Sequence, residues 1–449
     1  MCKPNSTVVS SVWNRTISSD NTIPGYADVV IIGGGIIGIS TAYYLAKKGV
    51  SVVLCEKGHI AGEQSSRNWG WIRQQGRDRR ELPLMAESIK AWNNLEHEIG
   101  ESVGFYQGGC LFSANSEKQL EGYRQWLEVA KQHGVDSRVV QGKELSSLVN
   151  TSAKWLGGLY TPSDCRAEPH KAVPAIAKAA SQIGAHIITG CAARGIDKAN
   201  GRVSGVVTEN GTIKTSSVLC AAGAWTSLFC GSLGIKIPQI KLRCTVARTS
   251  PCDLVLEGNL FDDSIALRKR EDGGYTVAHA FVVDHSITPS TFSNMTKFLP
   301  ALLRDPASVR LSLGPDFFRE LFASNTWDLD AVSPFEKDRV LNPPPNPNRL
   351  ASIRRNFTKY FPGYDNVCLV ESWAGMIEAT PDMIPIIDEV ETIRGLYIAT
   401  GFSGHGFGIG LGAGKAISML ISDGMSSDTI SAFKLKRFSD GSKLYIESI

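Results

Sequence analysis

The first clear hydrophobic pattern of the chain is a short run of β-branched residues over 28–32, without polar alternation. Such a run predicts a parallel strand that is covered on both faces. Helical spacing follows from Ile39 to Lys48, and residues 50–54 are a second apolar run. Together these segments predict one βαβ unit.

The rest of the chain alternates between helical and strand patterns. Apolar spacing predicts long helices over 78–99, 117–133 and 168–183. Strands are expected over 185–189, in a meander over 194–225, between about 240 and 290, and over 395–400, and a final helix runs from about 410 to 422. Residues 292–361 are expected to be helical or irregular. The proline cluster at 343–347 interrupts this segment, since it can form neither helix nor central strand. This order predicts a nucleotide-binding domain built from separated segments, with a sheet-bearing second domain inserted between them.

Composition and charge narrow the class of partner. The 47 Lys and Arg residues against 44 Asp and Glu leave a net charge of +3, which does not call for a nucleic acid or an anionic membrane. We therefore expect a small-molecule partner and no nucleic acid. Ten cysteines without a C-x-x-C pair are typical of reduced, buried thiols, and residues 1–26 are polar and lack a signal-peptide core. These features favour a cytoplasmic protein with a flexible N-terminal arm over residues 1–26.

Glycine is unusually frequent, with 44 residues in a chain of 449, against a usual share of about 7%. Two stretches, 29–46 and 395–414, approach the length of a membrane helix without charge. Their glycine density makes lipid-facing helices improbable and instead suits backbone that approaches a ligand closely. We expect no transmembrane segment.

The first glycine-rich stretch has the spacing of a dinucleotide site. Gly33, Gly35 and Gly38 form a G-x-G-x-x-G motif between a predicted strand and a predicted helix, where backbone N–H groups and the helix dipole bind a pyrophosphate. Glu56 closes the second strand 18 residues after Gly38, where a carboxylate can accept hydrogen bonds from a ribose diol. A carboxylate disfavours a 2′-phosphate, so FAD or NAD fits better than NADP.

The second stretch distinguishes these two cofactors. Residues 399–408 form another glycine-rich turn between a strand and a helix. A second positive helix end suits a second anionic group, and in a flavoenzyme that group is the flavin edge that gains negative charge on reduction. Two such turns favour FAD.

In these motifs the sequence resembles the FAD-dependent glycine/D-amino-acid oxidase superfamily, which includes sarcosine oxidase, glycine oxidase and γ-glutamylputrescine oxidase. The resemblance covers about residues 27–435. It is carried by segments 29–38, 56–57, 65–68, 168–170, 221–225, 373–375, 380–382, 385–387 and 401–406.

The resemblance implies a fold and a cofactor site. The fold is α/β, a doubly wound, Rossmann-like FAD-binding domain (27–105, 155–240 and 362–435) with an inserted α+β substrate domain (106–154 and 241–361) whose mostly antiparallel sheet covers the flavin. The residues implied around FAD are Gly33, Gly35, Ile36, Ile37, Gly38, Glu56, Lys57, Ser65, Ser66, Ala193, Ala222, Gly223, Trp225, Gly401, Phe402, Ser403, Gly404, His405 and Gly406. We assign His405 no acid–base role, since its ring can point away from the flavin.

Three departures from the family pattern concern the chemistry. Sarcosine oxidases attach FAD through a cysteine, and the matching position here is about Gly375, so non-covalent FAD is expected. The lysine that activates oxygen in those enzymes is matched by Thr276, which favours an acceptor other than oxygen, although glycine oxidase-like members use oxygen without that lysine. Glu378 stands near the position where glycine oxidase-like members carry a carboxylate-binding arginine.

Three residues are candidates for the substrate site. Arg73 aligns with the arginine that binds the substrate carboxylate in sarcosine oxidase-like enzymes, the alternative being a solvated basic face formed with Arg77, Arg79 and Arg80. Glu378 could bind a cationic group of a basic amine, or be a carboxylate of the surface or the flavin loop. His279 is a polar candidate in the covering sheet, where a lone histidine is more often simply hydrogen-bonded.

Two tryptophans, Trp69 and Trp71, could shape an aromatic pocket or pack in the core. The histidines show no ligand spacing, so we expect no metal.

The sequence therefore predicts an FAD-dependent enzyme that oxidises the C–N bond of an amino acid or a carboxylate-bearing secondary amine. Candidate substrates are a D-amino acid, an N-alkyl amino acid, an opine and a γ-glutamyl-polyamine. Hydride would pass to the flavin, water would hydrolyse the imine, and oxygen, a quinone or another carrier would accept the electrons. The alternatives are a non-catalytic flavoprotein subunit of a larger dehydrogenase complex, with partner subunits, and a flavoprotein that acts on RNA or protein side chains.

Overall fold

The structure is a computed structural model that describes residues 22–447 with the exception of 254, 281, 307 and 426. Most of the predicted N-terminal arm, residues 1–21, lies outside the described residues. The described helices are α1 (Ile36–Lys47), α2 (Gln64–Arg67), α3 (Leu82–Ile99), α4 (Glu117–Gln132), α5 (Gly142–Leu148), α6 (Pro169–Gln182), α7 (Thr226–Ser232), α8 (Pro289–Arg304), α9 (Pro315–Leu321), α10 (Pro334–Lys337), α11 (Pro347–Tyr360) and α12 (Gly406–Asp423).

The strands lie between residues 29 and 312 and between residues 369 and 400. They are β1 (Val29–Ile32), β2 (Val52–Glu56), β3 (Trp71–Ile72), β4 (Cys110–Ala114), β5 (Arg138–Val140), β6 (Gly157–Thr161), β7 (Cys165–Arg166), β8 (His186–Thr189), β9 (Ala193–Ala199), β10 (Arg202–Thr208), β11 (Gly211–Lys214), β12 (Ser217–Cys220), β13 (Ile240–Thr249), β14 (Asn259–Phe261), β15 (Ala266–Lys269), β16 (Tyr275–Ala278), β17 (Val283–Ser286), β18 (Val309–Ser312), β19 (Leu369–Ala379), β20 (Ile386–Glu389) and β21 (Leu396–Thr400).

A six-stranded sheet forms the centre of the nucleotide-binding half, in the order β20-β21-β12-β1-β2-β8. Every neighbouring pair is parallel except β20 and β21. One apolar cluster packs α1, α3, α6 and α12 against one face of the sheet, and a second cluster covers the other face. Burial on both faces explains why these strands are unbroken apolar runs. The predicted α/β fold is confirmed.

A ten-stranded sheet forms the second half. Its main path runs β18-β17-β13-β16-β15-β14-β4-β6-β5, and β19 pairs with β13. Only the β4–β14 and β17–β18 pairs are parallel, so the expected mostly antiparallel sheet is confirmed. Strands β6 and β19 belong to this sheet, although we assigned their residues to the FAD-binding segments. The division into domains stays a prediction.

Two smaller sheets complete the strand inventory. Strands β9, β10 and β11 form the antiparallel meander that the sequence predicts, and β3 pairs with β7. The predicted long helices correspond to α3, α4 and α6. The last helix, α12, begins at Gly406, four residues before the predicted start.

Helix α12 packs against both α1 and α3, and its glycines make this close approach possible. A Cβ atom on Gly410 would lie 2.5 Å from Ile36 Cγ1, and one on Gly414 would lie 2.5 Å from Ser40 Cβ, both on α1. A Cβ on Gly412 would lie 2.5 Å from the Leu84 carbonyl oxygen on α3. Glycine at every second position thus lets two neighbouring helices contact the α12 backbone. The sequence analysis expected a ligand to approach this stretch, but at Gly410, Gly412 and Gly414 the close approach is that of α1 and α3. None of the described helices is long and apolar enough to span a bilayer.

The described cysteines mostly agree with the expectation of reduced thiols. Eight of them are free, and seven of these are buried. Cys368 is disulfide-bonded, so the expectation was wrong for that residue.

The α12 packing predicts opposite effects for two glycine-to-alanine changes. Gly414→Ala should lower the free energy of unfolding by about 1–3 kcal/mol, because the new methyl group overlaps the α1 backbone. Gly122→Ala in α4 has no atom within 4 Å of the added Cβ and should raise the free energy of unfolding by about 0.5–1 kcal/mol. Urea denaturation measures both, and equal effects of the two changes would contradict the packing argument.

Candidate active site

The N-terminus of α1 forms one end of the site. Gly33 has φ +113°, and a Cβ there would lie 2.4 Å from the Ala221 carbonyl oxygen. A Cβ on Gly38 would lie 2.1 Å from the Gly33 carbonyl oxygen, so this glycine serves the packing of α1 on the turn. Gly35 is different, because only Ser65 Oγ, at 3.1 Å, lies near its added Cβ. Its open side lets a ligand approach the helix N-terminus.

Two side chains hold this turn. The Gly34 N–H donates to Glu56 Oε2 at 2.7 Å, and the Gly58 N–H donates to Glu56 Oε1 at 2.7 Å. The Ile36 N–H donates to Ser65 Oγ at 2.8 Å. Burial raises the pKa of the Glu56 carboxyl, and these N–H groups oppose that rise. Glu56 therefore lies where the sequence predicts a ribose-binding carboxylate.

The N-terminus of α12 forms the other end. It follows β21 through a turn in which Gly401, Ser403 and Gly404 have φ +71°, +50° and +85°. The Ser403 N–H donates to the Glu378 carbonyl oxygen at 3.1 Å, which fixes the turn to β19. Among the described residues no side chain caps α12, so the first N–H groups of the helix are available to an anionic ligand.

Both helix N-termini line one cavity of about 770 Å³. Its walls include all of the predicted site residues except Gly38, Ser66 and Gly401. Gly38 packs against the Gly33 carbonyl, and a Cβ on Gly401 would lie 2.3 Å from Thr380 Cγ2. Ser66 is buried and donates its hydroxyl to the Glu63 carbonyl. These three residues shape the turns behind the cavity and do not line it.

The cavity fits an FAD molecule. It has a helix N-terminus at each of two places, a half-buried carboxylate at the end of β2, and an open glycine at Gly35, which are the features a dinucleotide requires. Ile37 and Ser65 would hold the phosphates, Glu56 the adenosine ribose, and the turn from Phe402 to Gly406 the flavin ring.

Arg73 lies on the cavity wall and has no carboxylate within 4 Å among the described residues. Its guanidinium donates to the Gln75 carbonyl and lies 5.4 Å from the centre of the Phe112 ring. The alternative of a solvated basic face is wrong for Arg77, which is 2% exposed, and right for Arg79, which is exposed. Arg73 is thus a half-buried guanidinium on the cavity wall that no carboxylate of the described residues contacts within 4 Å, although its charge favours the ionised forms of the buried Asp164 and Glu81.

A buried charge cluster lies beside Arg73. Arg77 donates from Nε to the Arg73 carbonyl at 3.0 Å, and its Nη1 lies 3.6 Å from Glu81 Oε2. Glu81 is fully buried and contacts His405 Nδ1 at 3.2 Å. Burial lowers the pKa of Arg77 to about 10, and Glu81 opposes this fall, so the guanidinium keeps its charge at neutral pH. The cluster connects the start of α3 to the flavin turn.

Glu378 lies on the cavity wall and is buried. Burial raises the pKa of its carboxyl to about 7, against hydrogen bonds to Gln64 and to the Phe402 backbone. Its Oε2 atom is buried without a hydrogen-bond partner in the described structure. A carboxyl that is neutral up to about pH 7 can donate a hydrogen bond to a ligand, which is a weaker anchor for a cation than an ionised carboxylate.

His279 also lines the cavity, just after β16. Its Nδ1 atom is buried and makes no hydrogen bond within the described residues, so the interpretation as a simply hydrogen-bonded strand histidine does not hold for that atom. Burial lowers the pKa of His279, with a further contribution from Arg349. A neutral imidazole with an unused nitrogen is available to a ligand here.

An aromatic cluster lines the same cavity as Arg73. Trp69 and Trp71 meet edge to face with ring centres 5.1 Å apart, and Phe261 lies 6.5 and 6.2 Å from them. All three line the cavity. The two tryptophans therefore have both roles that the sequence suggests, since they pack on each other and line the cavity.

Thr276 does not line the cavity. Its hydroxyl accepts hydrogen bonds from Arg268 at 3.1 Å and from Arg270 at 3.3 Å, beside the buried Glu168. It therefore gives no information about the electron acceptor. Gly375 does line the cavity. A Cβ atom added to it would lie 3.2 Å from Arg67 Cβ.

Several cavity residues were missed by the sequence analysis. Glu63 accepts from Trp225 Nε1 at 2.9 Å and pairs with Lys57 at 3.0 Å, and both Glu63 and Gln64 line the cavity. Glu81 does not line the cavity but contacts His405, which does. Apolar residues of helix α8 also line the cavity, although α8 is distant in sequence from β1 and α1. Only the i,i+4 spacing of Arg77 and Glu81 was visible in the sequence, and nothing there indicated the contact with His405. No group of three or more His, Cys, Asp or Glu residues within the described ranges is placed to hold a metal ion.

The family model described as DAO, FAD dependent oxidoreductase, matches residues 28–420. Human mitochondrial sarcosine dehydrogenase is 28% identical over 93% of this chain, which spans only 42% of that protein. Sarcosine oxidase subunit beta from Rhodobacter capsulatus is 22% identical over 96% of this chain and 93% of its own length.

Solved structures match at full length. L-amino acid deaminase from Proteus myxofaciens, in complex with anthranilate, is 32% identical with a TM-score of 0.91, covering 95% of this chain and 96% of that chain. L-proline dehydrogenase from P. horikoshii is 25% identical with a TM-score of 0.77, covering 94% of this chain and all of that chain.

The raised pKa of Glu378 predicts a pH-dependent stability difference. Glu378→Gln should match the wild type in stability below about pH 4.5, the ordinary pKa of the group, where the carboxyl is protonated in both folded and unfolded states. Between pH 4.5 and about 7 the unfolded wild type gains by ionising while the folded state does not, so the variant becomes the more stable by up to about 3 kcal/mol. Urea denaturation of both proteins at a series of pH values measures this difference. A difference independent of pH would contradict the burial of an ionisable Glu378.

Proposed function

The chain belongs to the DAO family of FAD-dependent oxidoreductases, and from that premise we propose that it oxidises the C–N bond of an amino acid or an N-alkyl amino acid. One observation carries the proposal. Arg73 is a half-buried guanidinium on the wall of the cofactor cavity, without a carboxylate partner within the described ranges. A guanidinium binds a carboxylate through two parallel hydrogen bonds, so the missing partner is best supplied by the substrate.

The surroundings of Arg73 support an apolar substituent on the substrate. Trp69, Trp71 and Phe261 form one side of the cavity, and residues of α8 such as Phe298 and Leu302 form another. Burying apolar surface against such walls favours binding by roughly 25 cal/mol per Å². Among the predicted substrates, this supports amino acids and N-alkyl amino acids with apolar groups over a γ-glutamyl-polyamine.

FAD, when bound, accepts the hydride that leaves the carbon next to nitrogen, and water then hydrolyses the resulting imine. The residues of this chain bind and orient the substrate. Arg73 would hold the carboxylate and the aromatic cluster the side chain, which together fix the position of the reacting C–H bond. His279 and Glu378 lie on the same cavity and would contact the substrate or the cofactor through a neutral imidazole and a neutral carboxyl.

The relatives support this reading of the site. Sarcosine dehydrogenase and L-amino acid deaminase are named for sarcosine and L-amino acids, each of which carries an amine next to a carboxylate. The deaminase structure holds anthranilate, an aromatic carboxylate. We propose the same ligand class for this chain.

The acceptor and the assembly are further parts of the proposal. We propose a quinone or another carrier as electron acceptor, supported by the relatives named dehydrogenases. Rapid reoxidation of the reduced protein by air in a stopped-flow experiment would contradict this. Partner subunits are supported by the relatives named subunit beta, which this chain matches over most of their length. A cytoplasmic location is also kept as a proposal.

The role of Arg73 predicts a selective loss of substrate binding. Arg73→Ala should raise KM for carboxylate-bearing amines by about 10²-fold, since a charged, hydrogen-bonded contact of about 3 kcal/mol is lost. Arg79→Ala, which removes an exposed arginine six residues away, should leave KM unchanged. Steady-state kinetics with an artificial acceptor measure both.

The reaction class is tested first, with an anaerobic panel of amines and amino acids. Bleaching of the flavin absorption by at least one carboxylate-bearing amine is the expected result. No bleaching by any amine would favour the alternative of a non-catalytic flavoprotein subunit. An unchanged KM in Arg73→Ala, with an active wild type, would remove Arg73 from the substrate site.

A further inference from the structure

Glu81 and His405 form a buried pair at the edge of the cofactor cavity. Glu81 immediately precedes α3, is fully buried, and lies with its two oxygens 3.2 and 3.4 Å from His405 Nδ1. His405 precedes α12 in the flavin turn and lines the cavity, with 16% of its side chain exposed. A side chain from the start of α3 thus reaches the turn that is expected to hold the flavin ring.

The carboxylate fixes which ring nitrogen carries the proton. An ionised carboxylate only accepts hydrogen bonds, so the neutral imidazole places its hydrogen on Nδ1. Nε2 then carries a lone pair and makes no hydrogen bond within the described part of the chain. Because the ring lines the cavity, this lone pair is available to a ligand there.

Arg77 does not compete strongly for Glu81. Its Nη1 lies 3.6 Å from Glu81 Oε2, beyond hydrogen-bond distance, and has no hydrogen-bond partner in the described structure. The shorter contact of Glu81 is the one to His405. Arg77 therefore provides a counter-charge that keeps Glu81 ionised, while the hydrogen bond is made to the imidazole.

The pKa shifts of Glu81 and His405 agree with these separate roles of Arg77 and His405. Burial alone would raise the pKa of Glu81, but His405 and Arg77 outweigh it, so that the pKa lies below its usual value. Burial lowers the pKa of His405, Arg77 and Arg73 lower it further, and Glu81 opposes them. The charged groups that face the pair are thus Arg77 and Arg73, and both favour a resting state with an ionised Glu81 and a neutral His405.

We propose that Glu81 is a positioning residue that holds His405 as the proton acceptor for the substrate amine. The substrate binds as an ammonium and must lose one N–H proton before its C–H bond can be oxidised. That proton passes to His405 Nε2, the N–H bonding pair stays on the substrate nitrogen, and the imidazolium formed is stabilised by the Glu81 carboxylate. The proton later leaves to water. This inference rests on the proposed function and adds a base to it. It also replaces the expectation from the sequence that His405 has no acid–base role, because Glu81 holds the ring and the ring lines the cavity.

The first test is a direct one of the geometry and does not use activity. In protein labelled with ¹⁵N-histidine, the nitrogen shifts of His405, assigned through His405→Gln, should report a protonated Nδ1 and a bare Nε2 at neutral pH. Glu81→Gln should abolish this fixed tautomer. A His405 ring that is protonated on Nε2 in the wild type would overturn the proposal.

The second test measures kcat/KM against pH for the FAD-loaded protein. The wild type should gain activity as pH rises and His405 loses its proton. Glu81→Gln should lower the maximum by about 10²-fold and move this acidic limb to lower pH, because the carboxylate that raises the pKa of His405 is gone. Glu81→Asp, which keeps the charge, should recover part of the loss, and His405→Gln should lose the limb entirely.

A matched control lies on the same helix. Glu87→Gln removes an α3 carboxylate that pairs with Lys90 and Lys415 at the surface, and should change neither the maximum nor the pH profile. A wild type that oxidises no amine would count against the proposed function. An active wild type whose profile is unchanged in both Glu81→Gln and His405→Gln would overturn this inference and leave the proposed function standing.

Discussion

The packing of α1 against α12 is the constraint on which the site depends. Both helices begin at the ends of parallel strands of one sheet, and the glycines of α12 let its backbone contact α1 directly. Held side by side in this way, the two helices open their N-termini onto one cavity. Each N-terminus carries partial positive charge and unpaired N–H groups, so a single extended ligand with two anionic parts satisfies both.

The rest of the cavity wall combines groups whose charges are set by burial. Arg73 has no carboxylate within 4 Å among the described residues, Glu378 is neutral up to about pH 7, and His279 Nδ1 makes no hydrogen bond within them. Electrostatic interactions are strong in such a place because water is excluded. A carboxylate-bearing amine, the proposed substrate, would pair with Arg73, whereas a purely apolar ligand would leave Arg73 unpaired.

The sequence predicts those parts of the structure that depend on local pattern. β1, α1 and β2 follow from an apolar run, a glycine motif and helical spacing, and the position of Glu56 follows from the length of that unit. The role of Thr276 could not be predicted in this way, because a strand residue can face either side of a sheet and this one faces Arg268. The contact of Glu81 with His405 joins residues 324 positions apart, and only the packing of α3 on α12 brings them together.

The central claim is that one cavity, bounded by the two helix N-termini, holds both the cofactor and a carboxylate-bearing substrate. A crystal structure of the FAD-loaded protein with anthranilate tests it most directly. The account predicts the pyrophosphate at the N-terminus of α1, the flavin ring along the turn before α12, and the anthranilate carboxylate on Arg73. Anthranilate bound away from Arg73, or a flavin ring outside the α12 turn, would contradict it.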